Sequence, residues 1–310
     1  MHEKKIAFIF PGQGSQSLGM LAEIATQYPQ IQKTFQEASE VLGYDLWQLS
    51  QNGPLTQLNQ TQYTQPIVLA ASIALWRIWQ DELQDTPVIL AGHSLGEYSA
   101  LVCAGVLDFT EAIDVVAARG HYMQSAVPEG QGAMGAVIGL SDQAIAQLCD
   151  RAAQADVLAP ANLNAPGQTV LSGNASAIDR ALYLARHEFS AKLAKRIPVS
   201  VPAHCILMQS AAQQLLVDLE KINFRRPSID VINNVDAAIA SDPETIKSAL
   251  IRQMCQPVRW VETIQFIVEK DITLFIECGP GKVLTGLNKR MTSILTVSIM
   301  DRFSVRHQAS

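Results

Sequence analysis

No stretch of this 310-residue chain approaches the roughly 20 apolar residues that a membrane-spanning helix needs. The N-terminal MHEKKIAFIF is charged and then only briefly apolar, shorter than a secretory core, and Pro11-Gly12 ends the run. Cysteine is scarce and unpaired in pattern: Cys103, Cys149, Cys205, Cys255 and Cys278 are odd in number, widely spaced and without C-x-x-C. That argues against a disulfide frame or a zinc site and for buried free thiols. A basic excess is lacking too, with 23 Lys and Arg against 29 Asp and Glu and a formal charge of −6. A chain of that balance is no general nucleic-acid surface, and an acidic partner must find a local basic patch. Neither an internal repeat nor a low-complexity tract is present. What is there is globular: 48% hydrophobic and 17% charged residues, enough for a sizeable core, in a chain long enough for one large domain or a domain with a smaller one inserted. The expected compartment is the cytoplasm.

Strand and helix signals alternate along the chain. Ile6–Phe10 and Val88–Ala91 are short apolar runs, each followed by a glycine turn and a helix-like segment, and Thr64–Gln80 reads as a buried helix. Buried runs followed by helices predict a parallel sheet covered on both faces. The middle differs. Ala133–Gly139 predicts a strand, Ser141 to Ala153 a helix capped by Ser141, and Leu158–Asn162 and Thr169–Ser172 two strands joined through Asn164-Ala-Pro-Gly167. Ala177–Phe189 predicts a second helix and Arg196–Val201 a last strand. The order β-α-β-β-α-β is that of a ferredoxin-like unit, read as an insertion over 127–198 in a catalytic part formed by 1–126 and 199–310. Val231–Asn233 and Leu274–Glu277 are candidates to return to the main sheet.

Gly92-His93-Ser94-Leu95-Gly96 is a G-x-S-x-G sequence between a predicted strand and a predicted helix. A nucleophilic serine must project from a sharp turn, and small residues two positions away on either side let the backbone close up. The following helix offers unpaired N–H groups, so Leu95 N–H can receive an oxyanion. Such a serine needs a base. Of six histidines, His2 and His307 lie near the termini, His93 points away from its neighbour, and His187 falls in the insertion. His204, where the chain re-joins the main domain, is the first candidate; His121, on the helix after the elbow, is the second.

That helix spans Asp108 to Ala126, with Asp108 and Glu111 in the spacing of a capping box. Arg119 falls inside its apolar stripe of Ala112, Val115, Val116 and Met123. A buried guanidinium needs a structural carboxylate, a path to the surface, or the carboxylate of a substrate. Two glycine loops are poor phosphate sites: Ser17 replaces the third glycine of a dinucleotide fingerprint, and Val283 follows Gly279-Pro-Gly-Lys282 where a Walker loop needs Ser or Thr.

Taken in order, Phe10-Pro-Gly-Gln-Gly-Ser-Gln16, Gly92-His-Ser-Leu-Gly-Glu97, Ala118-Arg119-Gly120, Val201-Pro-Ala-His204 and Glu277-Cys-Gly-Pro-Gly-Lys282 resemble the malonyl-CoA:acyl carrier protein transacylases of bacterial type II fatty acid synthesis, over nearly the whole chain to about Arg290. The resemblance implies an α/β-hydrolase-like parallel sheet core with an inserted ferredoxin-like subdomain. It implies Ser94 as nucleophile, His204 as base, and the backbone N–H groups of Gln13 and Leu95 as oxyanion hole. Arg119 becomes the clamp on the malonyl carboxylate, and the backbone carbonyl of Gln253 orients the histidine with no acidic third member. Gln65, His93 and Asn162 line the site. Malonyl-CoA and acyl carrier protein are the implied partners, with no metal or further cofactor. Cys278 and Ala203 depart from the usual residues, and Ala203 sits where it can alter the acyl pocket. The runner-up activity is a serine esterase or thioesterase on the same elbow.

Overall fold

The computed structural model describes residues 4–83, 85–199 and 201–305. Its strands are β1 (Ile6–Phe10), β2 (Ile89–Gly92), β3 (Gly132–Ile138), β4 (Leu158–Ala165), β5 (Gln168–Asn174), β6 (Leu193–Arg196), β7 (Asp230–Ile232), β8 (Leu274–Glu277) and β9 (Thr296–Ser298). They form two sheets. The larger has the order β7-β2-β1-β8-β9 and is parallel throughout. Every residue of β1, β2 and β8 is buried, as expected of strands covered on both faces. One face packs against a core containing the helix Thr61–Glu82, where Phe8 meets Trp76 and Trp79 edge to face at 5.2 and 5.0 Å. The other is covered by the helix Trp260–Val268 and residues such as Leu284 and Leu287. No helix among the described residues is long and apolar enough to cross a membrane.

The smaller sheet is antiparallel in the order β4-β5-β3-β6, with the helices Asp142–Ala153 and Ala175–His187 packed on a core of their own. That is the ferredoxin-like arrangement, and Ser141 caps its first helix by accepting from Ala144 N–H at 3.2 Å. Its strands fall within residues 132–196.

Two local expectations are corrected. The last small-sheet strand is Leu193–Arg196, not Arg196–Val201. Ile197 N–H makes a final bond to Met134 O, and then Pro198 offers no donor to continue the ladder. The apolar residues Ile197, Val199 and Val201 that suggested a strand instead line the cavity described below. Asp108 stands at the N-cap of the helix Phe109–Ser125, but its side chain makes no capping bond and pairs with Arg225. β9 gave no sequence signal, being three residues long at the sheet edge.

Candidate active site

The carboxyl ends of β1 and β2 open onto a cavity of about 210 Å³, the usual ligand position in an open parallel sheet. Gln13 follows β1, and His93, Ser94 and Leu95 follow β2. The small sheet supplies Met134, Asn162 and Val170, and the segment leading back supplies Val199, Val201, Ala203 and His204.

The elbow is a close-packed turn. A Cβ on Gly92 would lie 1.8 Å from Gly96 C, and one on Gly96 would lie 2.0 Å from Phe10 O, so both positions require glycine. Ser94 takes φ 52°, a left-handed conformation that costs a non-glycine residue energy and persists only where neighbours enforce it. Asn234, just past β7, is one such neighbour. It accepts from Ser94 N–H through Oδ1 at 2.6 Å and donates through Nδ2 to Gly92 O at 2.6 Å. Leu95 enters the helix Gly96–Cys103, and neither its N–H nor that of Gln13 donates to a described group. Both residues line the cavity.

Ser94 Oγ lies 2.8 Å from His204 Nε2, and His204 Nδ1 lies 2.7 Å from the main-chain carbonyl of Gln253. His204 also has a left-handed backbone, φ 61°. Burial pushes its imidazole pKa down to about 3, helped by the positive charge of Arg119 and opposed by the Gln253 carbonyl. The ring is therefore held neutral at ordinary pH, with Nε2 toward Ser94 Oγ. The other candidates lie elsewhere. His121 is exposed and faces Gln62, His187 stacks near Tyr183 at 4.4 Å, and His2 and His307 fall outside the described residues. His93 turns from Ser94 and meets Asn164 Oδ1 at 2.8 Å, its ring 5.4 Å from that of Trp260. Burial lowers its pKa.

Arg119 is 1% exposed. Nη1 donates to Gln65 Oε1 at 2.7 Å and Nη2 to Gln253 Oε1 at 2.9 Å, with Ser94 Oγ 3.4 Å from Nη2. Its charge lies 5.6 Å from the Tyr98 ring centroid. Among the described residues Nε has no hydrogen-bond partner and no carboxylate forms an ion pair with this guanidinium. Burial lowers its pKa against the influence of Tyr98 and Glu97, yet a guanidinium stays charged. A buried cation has thus been left beside the serine with only neutral partners, so of the three sequence-level answers the structural ion pair and the surface path are not used.

Gln253 was expected to contribute its main chain. Its side chain is engaged as well: Oε1 holds Arg119, and Nε2 donates to Glu97 Oε2 at 2.8 Å and Ser94 O at 3.2 Å. Glu97 and Asn234 went unassigned by sequence reasoning. The available signal was position: Glu97 is in the first turn after the elbow, and Asn234 is at a carboxyl strand end. Burial raises the Glu97 pKa to about 7, opposed by its bonds from Gln253 and Asn234 and by Arg119. Asn162 lines the cavity, its buried Oδ1 without a hydrogen-bond partner among the described residues. Among the described residues no cluster of His, Cys, Asp and Glu could hold a metal ion.

A parallel sheet with a serine elbow, a histidine against it, and an inserted ferredoxin-like unit defines an acyl-transfer type of domain, and comparison with known proteins agrees. Residues 7–297 match the acyl transferase domain family. The chain is 52% identical over 297 residues to the malonyl CoA-acyl carrier protein transacylase of Salmonella typhimurium, covering 96% of each, and 42% identical to that of Bacillus subtilis, covering 96% of this chain and 94% of the relative. The solved malonyl CoA-acyl carrier protein transacylase of Coxiella burnetii superposes with a TM-score of 0.95 at 51% identity, covering 97% of each chain. A malonyl-transacylase solved in complex with a type II PKS acyl-carrier protein superposes at 0.93 with 52% identity, covering 95% of each. The chain belongs to the acyl transferase domain family, among the malonyl CoA-acyl carrier protein transacylases.

Proposed function

We propose that this chain moves a malonyl group from malonyl-CoA to the phosphopantetheine thiol of acyl carrier protein, by a ping-pong route through an ester on Ser94, and that it does so in the cytoplasm for fatty acid synthesis. Relatives of the same length carry that activity in their names, and one structural neighbour holds a carrier protein. The observation that carries the malonyl reading is Arg119, a buried guanidinium with no ion-pair partner among the described residues, 3.4 Å from Ser94 Oγ. A dicarboxylic acyl group brings the missing carboxylate.

In the first half-reaction Ser94 Oγ attacks the thioester carbon while His204 Nε2 takes its proton. The negative charge that develops on the thioester oxygen is met by the N–H groups of Gln13 and Leu95. The tetrahedral intermediate collapses, the carbon–sulfur bond breaks, and His204 returns the proton to the coenzyme A thiolate. In the second, the carrier's thiol gives its proton to His204 and attacks the ester carbon; the new carbon–sulfur bond forms, the bond from that carbon to Ser94 Oγ breaks, and His204 returns the proton to Oγ. The Gln253 carbonyl holds the ring in the tautomer with its proton on Nδ1 and Nε2 free to accept. Side chains and main-chain N–H groups supply every step, with malonyl-CoA as substrate, coenzyme A as product, and no cofactor called upon.

Intact mass after incubation with malonyl-CoA tests this reading. The chain should gain one malonyl group, keep it, and lose it on addition of holo carrier protein. Loss to water without a carrier would indicate a thioesterase, and no gain at all would indicate a non-catalytic binder.

A further inference from the structure

Glu97 is 1% exposed and takes no part in the steps above. Its Oε2 accepts from Gln253 Nε2 at 2.8 Å and from Asn234 N–H at 3.0 Å. Gln253 in turn offers Oε1 to Arg119. A carboxamide has an oxygen that only accepts and a nitrogen that only donates, and the two ends can exchange by a half turn. Between a guanidinium, which only donates, and Glu97 Oε2, which already accepts from Asn234 N–H and so faces the amide as an acceptor, a single orientation satisfies both neighbours. The reversed amide would set NH2 against Arg119 and oxygen against Glu97, leaving buried groups unpaired. The second amide on Arg119 lacks such an anchor, since Gln65 Nε2 faces the Met123 sulfur at 3.5 Å, a weak acceptor.

We propose that Glu97 is a positioning residue for acyl selectivity: it locks the Gln253 carboxamide so that its oxygen holds Arg119 where an acyl carboxylate docks. Glu97 touches neither the acyl group nor the reacting atoms and acts through Gln253. The inference rests on the malonyl-transfer reading and adds to it a determinant one residue removed from the substrate. The link to Asn234, which braces the elbow, gives Glu97 a structural duty as well, so the test must separate selectivity from general damage.

The readout is the ratio of kcat/KM for malonyl-CoA to that for acetyl-CoA, which has no carboxylate to clamp. Gln253→Met removes the amide and keeps the main-chain carbonyl that holds His204. Glu97→Met removes the acceptor at similar length. Each should lower the ratio ~10-fold, the size expected for weakening one charge-assisted contact. The double variant should fall no further than either single one, because both break the same chain of contacts. Glu97→Gln keeps an acceptor oxygen and should hold the ratio within about threefold of the unaltered chain. The inference is overturned if Glu97→Met slows both acyl groups by the same factor, or if the two losses multiply in the double variant. Should Glu97→Met fail to fold, Gln253→Met decides alone, since an unmoved ratio there means the amide does not steer Arg119. Failure of the unaltered chain to transfer malonyl overturns the functional reading itself, whereas normal transfer with an unmoved ratio overturns only the role of Glu97.

Discussion

The Arg119 guanidinium stands 3.4 Å from Ser94 Oγ, so the acyl group that reaches the serine must meet a buried positive charge. With the neutral amides of Gln65 and Gln253 as its hydrogen-bonded partners, an arriving carboxylate supplies the first direct ion pair. A charge-assisted bond contributes about 1.5–3 kcal/mol, or roughly 10- to 100-fold in rate. Arg119→Ala is therefore expected to lower malonyl transfer ~10-fold or more and acetyl transfer far less. Steady-state kcat/KM for the two thioesters is the measurement, and equal losses would make Arg119 a structural residue.

His204 and Gln253 should separate cleanly in single-turnover acylation by malonyl-CoA. His204→Ala removes the proton acceptor 2.8 Å from Ser94 Oγ and is expected to slow acylation by ~10²-fold or more. Gln253→Ala leaves the backbone carbonyl in place at His204 Nδ1. Its loss is expected to be smaller and confined mainly to malonyl, because the side chain that it removes supports Arg119 and not the histidine. A variant of Glu97 that slowed acetyl and malonyl acylation as severely as His204→Ala, with the fold intact, would favour a triad containing an acid over the present dyad.

The pH profile follows from the charge beside the imidazole. Burial first, and the Arg119 charge second, push the His204 pKa down to about 3, so the ring stays in its active neutral form as pH falls past the usual histidine range. The acid limb of kcat/KM, which reports the free protein, should thus lie well below pH 6.5. Removing the cation in Arg119→Ala takes away one of the depressing influences, burial and the neighbouring His93 remaining, and the limb should move upward. Acetyl-CoA is the substrate for this comparison, since its binding does not depend on the missing guanidinium. An acid limb that stays in place, or moves down, would contradict the assigned coupling between Arg119 and His204.

Much of this arrangement was legible in the sequence because it is local. Gly92, Ser94 and Gly96 announce a tight strand–helix turn through spacing alone, and Arg119 announces a buried charge by interrupting an apolar stripe. The ferredoxin-like order was readable from alternating helix and strand signals, with one boundary misplaced because Ile197, Val199 and Val201 look strand-like while Pro198 ends the ladder. What was not legible joins residues far apart. Asn234 reaches Ser94 across 140 positions, and Gln253 reaches Glu97 across 156. Such polar contacts leave no periodicity and no motif, since each residue in isolation reads as an ordinary loop or helix side chain. The direction of the Arg119 side chain belongs to the same group: helix periodicity says which face it occupies, not that Gln65 and Gln253 await it there.

The carrier protein is acidic by expectation and this chain is net negative, so docking requires a local basic patch. Sequence reading offers two groups, Lys192, Lys195 and Arg196, and Lys282, Lys289 and Arg290. In the first, Arg196 is already engaged by Asp179 through two bonds of 2.7 Å. In the second, Lys282 pairs with Asp301 and Arg290 reaches Gln168 and the Pro166 carbonyl, leaving Lys289 exposed without an ion pair among the described residues. The second group nevertheless has the better position. It flanks the helix Val283–Asn288, whose Val283, Leu284 and Leu287 line the cavity and whose Val283 is 47% exposed at its rim. A phosphopantetheine arm passing that rim would bring the carrier's acidic surface over Lys282 and Lys289. Their charge reversal, Lys282→Glu with Lys289→Glu, is expected to raise the apparent KM for holo carrier protein and to weaken its salt dependence, because exposed charges steer association and are screened by salt. Acylation of Ser94 by malonyl-CoA should be unchanged in the same variant. If reversal of Lys192 and Lys195 raises that KM instead, docking lies on the inserted unit, and if neither reversal does, electrostatic docking through these lysines is wrong.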